Sequence, residues 1–158
     1  MTTDEYLKQA RWLEEDINAD LEDLLQEKKQ ALALPSTRWG EEKVQNRKAR
    51  KEAEFEEHVD MVTLLENRIR EKQKLLQRVR GQIRGVLQGL ENPRERRVLT
   101  AVYLGYRTRK EIAESLHRTY RYVRGVTSSG MKNIVLPEEP IDVRKEAEQV
   151  GRADGLSV

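Results

Sequence analysis

The chain contains no cysteine, which removes disulfides and thiolate-bound metals from consideration. Its two histidines, His58 and His117, are too far apart for any short metal-ligand spacing, and His58 reads as a helix-surface residue. No apolar run approaches the ~20 residues of a membrane span, and no secretory hydrophobic region follows the acidic N-terminus. No Gly-rich phosphate loop follows a strand, and no segment reads as a strand. The Glu residues sit on polar helix faces, without the apolar setting that tunes a carboxyl for acid–base work. The expectation is a soluble cytoplasmic protein with no catalytic residues, no cofactor, no metal and no membrane partner.

What the chain does have is charge. Its 158 residues are 37% charged and 37% hydrophobic, a balance that suits long helices with polar outer faces better than one large core. The length allows one compact domain or a small domain with an extended appendage. The net charge of +2 hides an asymmetry. Residues 1–34 carry −5, residues 68–92 carry +5, residues 93–134 carry +7, and the segment from Pro137 returns to −3. A basic block of this kind is what a phosphate-binding surface requires, although basic helices are often merely solvated.

Helical periodicity dominates the first ninety residues. Tyr6, Ala10, Leu13, Ile17, Leu21, Leu24 and Leu25 form one face of a first helix. Thr3 or Asp4 can cap it, and Pro35 should stop it near Leu34. Residues 35–40 read as a turn or loop, and Trp12 and Trp39 as packing residues. Residues 41–54 are nearly all polar, either a solvated helix or a mobile linker. From Phe55 a seam sharpens through Val62, Leu65, Ile69, Lys72, Leu76, Val79, Ile83, Val86 and Leu90, with alternating steps of three and four. That is a heptad pattern whose only polar member is Lys72. The two helices should pair as an antiparallel hairpin, within one chain or between chains. Gly81, Gly85 and Gly89 lie four apart, off the seam. They read either as a surface for close docking or a soft joint, or as a tolerated weak helix end.

Asn92-Pro93 marks a boundary, with Asn92 as N-cap and Pro93 at the first helical position. A short helix with Val98, Leu99, Val102 and Leu104 follows, and Gly105 should end it. Thr108 with Glu111 forms a capping box, so a second helix starts there, with Ile112, Ala113 and Leu116 facing inward. His117-Arg118 is a turn. Thr119 can cap a third helix whose inward residues are Val123, Val126, Met131 and Ile134. The ten residues from Ala113 to Val123 are the interval at which two helices of a helix-turn-helix share one core. Many such motifs have Gly in the turn. His117 tolerates that backbone less easily, though better than a β-branched residue.

This pattern turns Thr119, Tyr120, Arg121, Arg124 and Ser128 outward. The N-terminal residues of the second helix of such a motif enter the DNA major groove, so these five are the candidate base contacts. Arg can donate two hydrogen bonds to guanine. Arg107, Arg109, Lys110 and Arg118 are the candidate phosphate contacts, supplying affinity without sequence information. Tyr122 could instead pack inward on the three-helix unit. The plainer reading of the same residues is a small helical bundle with a basic solvated face.

Three stretches carry a resemblance: E-Y-L-K-Q-A-R-W-L-E-E-D-I-N-A-D-L-E at 5–22, I-R-G-V-L-Q-G-L-E-N-P-R-E-R-R-V-L at 83–99, and Y-L-G-Y-R-T-R-K-E-I-A-E-S-L at 103–116. Over roughly residues 4–134 the chain resembles small phage-encoded regulators of late-gene transcription, whose C-terminal domain is similar to sigma-factor region 4. The resemblance implies binding to double-stranded DNA upstream of packaging or structural genes, contact with RNA polymerase, and a place in the cytoplasm of a bacterial host. Arg109-Lys110 before E-I-A and the more basic helix that starts at Thr119 depart from that family's pattern.

The expected architecture is all-α, with a helical hairpin at 1–91 that sets oligomeric state and favours a dimer. A helix-turn-helix domain follows at 92–136, and a flexible acidic tail at 137–158, in which Asp142 to Gln149 can form a short helix. Two rival readings remain. A phage small terminase subunit also joins a helix-turn-helix to a helical oligomerisation region, but its DNA-binding domain usually comes first. A coiled-coil interaction protein would use the basic end to bind an acidic partner.

Overall fold

The computed structural model describes residues 1–33 and 44–153, the side chains of 44–48 and 153 excepted. The fold is all-α. Among the described residues it consists of α1 (Thr3–Ala33), α2 (Val44–Gln88), α3 (Pro93–Tyr103), α4 (Arg109–Leu116), α5 (Tyr120–Asn133) and α6 (Val143–Ala153), with no strand. No helix among them is long and apolar enough to cross a membrane. The expected loop at 35–40, with Trp39, lies outside the described residues.

The cap of α1 is Thr2, where Thr3 or Asp4 was expected. Thr2 Oγ1 accepts the Glu5 N–H at 3.2 Å, and the Glu5 carboxylate accepts the Thr2 N–H at 2.8 Å. Only the residue three before a Glu can close both bonds. The Thr2 backbone and hydroxyl hydrogen bonds hold the Glu5 carboxyl below its ordinary range.

Helices α1 and α2 form the antiparallel hairpin within a single chain. At its base the Tyr6 hydroxyl donates to Gln82 Oε1 at 2.9 Å. Midway, Lys72 Nζ lies 2.7 Å from Asp16 and 2.6 Å from Asp20. Towards the far end His58 Nδ1 meets Glu27 at 2.7 Å, so His58 ties the two helices together. Burial opposes the charge on Lys72, yet hydrogen bonds to the two carboxylates outweigh it and raise its pKa. A buried charge is tolerable only where it is paired. Sliding the hairpin by one turn would leave this cation at most one of its two carboxylates, so the polar member of the seam favours this register.

The region left open at 41–54 is helical from Val44 onward. Below Lys72 the deepest positions are Leu75, Val79, Ile83, Leu87 and Leu90. Leu76 and Val86, expected on the seam, pack beside it. An α-helix of 3.6 residues per turn drifts about 20° per heptad against a strict seven-residue repeat, which is why the buried stripe departs from it. Trp12 is 43% exposed and lines a surface cleft with Val143 and Arg144, so it is not a core residue. Gly81 and Gly85 face open space, so no helix among the described residues docks on them.

The boundary at Asn92 separates helices but not cores. Leu99, Tyr103 and Leu104 share one apolar cluster with Tyr6, Leu7, Val79 and Ile83, and the Tyr103 hydroxyl donates to Asp4 at 3.1 Å. The segment expected to be a flexible tail is laid against the hairpin through Ile141, Val143 and Glu146, and is helical as far as Ala153. Val143 is fully buried and its N–H donates to Gln9 Oε1 at 2.8 Å. The Ile141 N–H donates to Gln82 Oε1 at 3.0 Å, and Arg78 pairs with Glu146 at 2.9 Å. Asp142 caps α6 by accepting the Arg144 N–H at 3.1 Å. Burial of one Val with satisfied backbone groups anchors a segment that composition alone reads as loose.

Candidate nucleic-acid interface

Helices α3, α4 and α5 enclose a second small core of Val98, Ile112, Ala113 and Val123, flanked by Leu116, Tyr122 and Val126. Val102 packs against both cores, so the three-helix unit sits on the base of the hairpin. Each helix begins with a side-chain cap. Asn92 Oδ1 accepts the Arg94 N–H at 2.9 Å, Thr108 Oγ1 accepts the Glu111 N–H at 3.2 Å, and Thr119 Oγ1 accepts the Tyr122 N–H at 3.1 Å. Pro93 occupies the first turn of α3. These short-range signals place the three helix starts where the sequence predicts them.

The link between α4 and α5 is a tight turn. His117 is left-handed, at φ 53° and ψ 40°. Its N–H donates to Glu114 O at 3.3 Å, and the Arg118 N–H donates to Ala113 O at 2.9 Å. This pair of bonds is a Schellman end, in which the left-handed residue is usually Gly. The end of α3 differs from the expected glycine cap. The left-handed residue there is Tyr106, at φ 53°. Gly105 is needed for space instead, because a Cβ on it would lie 2.8 Å from Ala101 O.

On α5 the buried residues are Val123, Thr127 and Gly130. Val126, Met131 and Ile134, expected inside, are only partly buried. Thr127 can turn inward because its hydroxyl donates to Val123 O at 2.8 Å, and Gly130 because it lets α3 approach. A Cβ at Gly130 would lie 2.7 Å from Leu99 Cδ1. Glu95, also buried, accepts from the Ser129 hydroxyl at 2.8 Å and from Asn133 Nδ2 at 3.2 Å. This clamp fixes how α5 lies across α3.

The opposite face of α5 is solvent-facing. Thr119, Tyr120, Arg121, Arg124 and Ser128 are all exposed, and so are Arg107, Arg109, Lys110 and Arg118. None of these six basic side chains pairs with a carboxylate among the described residues. The Arg118 guanidinium stands 5.0 Å over the Tyr122 ring, a cation–π contact that orients it beside the start of α5. Tyr122 packs on the α3–α5 core instead of facing outward. The arrangement is an uncompensated positive surface with one half-exposed aromatic ring, Tyr120, at the start of a helix.

Motif reasoning missed further cations next to this surface. Arg84, Arg94, Arg96 and Arg97 belong to the basic block, but no local pattern marks them; only the fold brings Arg94 and Arg97 into one cleft with Arg118, and Arg84 and Arg96 into the neighbouring one. Among the described residues no group of three or more His, Asp or Glu is arranged to hold a metal. No protein-family model, curated protein or solved structure matches the chain.

Proposed function

We propose that the protein is a sequence-specific DNA-binding regulator of transcription that reads the major groove with α5. The observation that carries this reading is the exposed N-terminal half of α5, where Arg121 and Arg124 stand without an ion-pair partner among the described residues behind a Schellman turn at His117. Thr119, Tyr120, Arg121, Arg124 and Ser128 contact bases. Arg107, Arg109, Lys110 and Arg118 hold phosphates, an allocation that follows the docking mode of helix-turn-helix proteins. Late-gene control in a phage, with RNA polymerase as a second partner in the bacterial cytoplasm, is supported by the resemblance of residues 5–22, 83–99 and 103–116. A dimer fits this role because a two-fold protein matches a palindromic site. The hairpin's exposed Leu25, Leu32, Phe55 and Val59 supply apolar surface for pairing.

The test is to incubate the protein with sheared DNA of its source genome at physiological salt, sequence the retained fragments, and weigh the protein in solution. One short enriched site upstream of a gene block, with a dimeric mass, is the expected result. Enrichment beside a terminase gene together with a ring-sized mass would assign the protein to DNA packaging. Absence of any DNA retention would leave a coiled-coil interaction protein.

A further inference from the structure

Arg84, Arg96 and Arg97 lie outside the helix-turn-helix pair and have no part in the reading above. They face a cleft of about 590 Å³ between the end of α2 and α3, floored by Thr100 and Gly105. No carboxylate lines it, and none of the three arginines has an ion-pair partner among the described residues. A fourth arginine is fixed in the wall. Arg80 donates to Tyr106 Oη at 2.8 Å and to Leu104 O at 3.1 Å, so its charge cannot swing away. Folding has gathered four guanidinium groups around one trough, and among the described residues Glu14, 3.9 Å from Arg80, is the one carboxylate that pairs with any of them.

The trough is not isolated. A second cleft, of about 340 Å³, is lined by Arg94, Arg97, Leu116, Arg118 and Tyr122. The two clefts share Pro93 and Arg97. Arg97, common to both clefts, therefore links Arg118, in the turn before α5, across α3 to Arg84 on α2. We infer that this track carries the phosphate backbone of duplex DNA flanking the site read by α5, with Arg84, Arg96 and Arg97 as phosphate contacts beyond the motif. The inference rests on the DNA-binding reading and extends it.

A duplex fits the track better than a compact anion does. These arginines are strung along a trough, where a small anion would call for donors converging on one point. Duplex DNA is a string of anions, with one charge per ~1.7 Å of helix axis. Any duplex seated at Thr119 passes beside Arg118, and the track continues from there. The trough makes no provision for bases, so it adds affinity and length of footprint without adding specificity.

The experiment measures binding of the full-length protein to random-sequence duplexes by fluorescence anisotropy over a range of salt. One duplex spans about one helical turn and the other about two turns, at roughly 10 bp per turn. On the longer duplex, the variant Arg84→Ala/Arg96→Ala/Arg97→Ala should have a log–log salt slope shallower by roughly 3. On the shorter duplex it should match the wild type. Arg96 is half-buried, so the variant Arg84→Ala/Arg97→Ala, with both changes at exposed positions, repeats the test and should lose a slope of roughly 2. Arg109→Ala is the control and should lose roughly 1 on both lengths. If Arg109→Ala lowers the slope but neither arginine variant does, the track is overturned and the helix-turn-helix reading survives. If the wild type binds neither duplex, both fall. An unchanged slope with lost binding to polyglutamate would assign the trough to an acidic protein surface and overturn the inference.

Discussion

The carboxylate of Glu95 on α3 accepts a 2.8 Å hydrogen bond from the hydroxyl of Ser129 on α5. The acceptor is buried, at 4% exposure, while the donor is on the solvent side. This bond, with the one from Asn133, aims the helix that carries Arg121 and Arg124. Replacing Glu95 with Ala should cost about 1.5–3 kcal/mol, the range for hydrogen bonds to a charged group. Urea unfolding of the two proteins measures it. An unchanged midpoint would mean that α5 is held by apolar packing alone.

Two glycines of α5 should respond in opposite directions to the same change. Gly125 has nothing within 4 Å of a built Cβ, so Gly125→Ala should gain about 1 kcal/mol from helix propensity. At Gly130 the new methyl would meet Leu99 Cδ1 at 2.7 Å and Glu95 Cβ at 3.3 Å. Overpacking costs about 1–3 kcal/mol, which offsets or exceeds the propensity gain. Thermal melts should rank Gly125→Ala above the wild type and Gly130→Ala at or below it. Equal gains at both sites would contradict the close α3–α5 contact.

His117 should be improved by glycine. The left-handed backbone costs a non-glycine residue about 1–2 kcal/mol, and glycine's extra unfolded-state freedom costs about 0.5–1 kcal/mol. The side chain is exposed, so no packing is lost. His117→Gly should therefore raise the melting temperature, and His117→Val should lower it. A drop with glycine would mean that the imidazole makes a stabilising contact the turn depends on.

Alkaline pH should loosen the base of the hairpin. Burial pushes the phenols of Tyr6, Tyr103 and Tyr106 up to about 12 from 10.0; Asp4 adds to the effect at Tyr103, and a hydrogen bond to Glu14 adds to it at Tyr106. A folded pKa above the unfolded one gives stability that is complete below pH 10 and is lost as pH climbs towards 12. Lys72, also raised, acts in the same direction. The melting temperature should hold level below pH 10 and fall above it, less steeply in Tyr103→Phe. A level profile through that range would contradict the burial of these phenols.

Caps and regular apolar spacing were legible in the sequence, and polar contacts between distant side chains were not. Asn92-Pro93, Thr108 and Thr119 declare their helix starts because a cap is a local hydrogen bond. The interval from Ala113 to Val123 declares the paired helices because it reflects one shared core. Thr127 and Gly130 carry no apolar signal, so their inward position escaped the periodicity. Glu95 reads as one more solvated acid until Ser129 and Asn133 are brought to it. The same holds for Val143, a single apolar residue in a polar segment, whose docking depends on Gln9 and Gln82 from distant helices. Lys72 was visible as an anomaly of the seam, but its explanation lay in Asp16 and Asp20 on the other helix.

The measurement that tests the central claim most directly compares wild type, Arg121→Ala, Arg124→Ala and Arg109→Ala on two duplexes: the site captured from the source genome and a scrambled version. Loss of a bidentate guanine contact should cost about 1–3 kcal/mol on the captured site only, so Arg121→Ala and Arg124→Ala should bring the two duplexes closer in affinity. Arg109→Ala should weaken both alike. Equal losses on both duplexes for all three variants would contradict base reading by α5 and leave its exposed face a basic surface that holds phosphates alone.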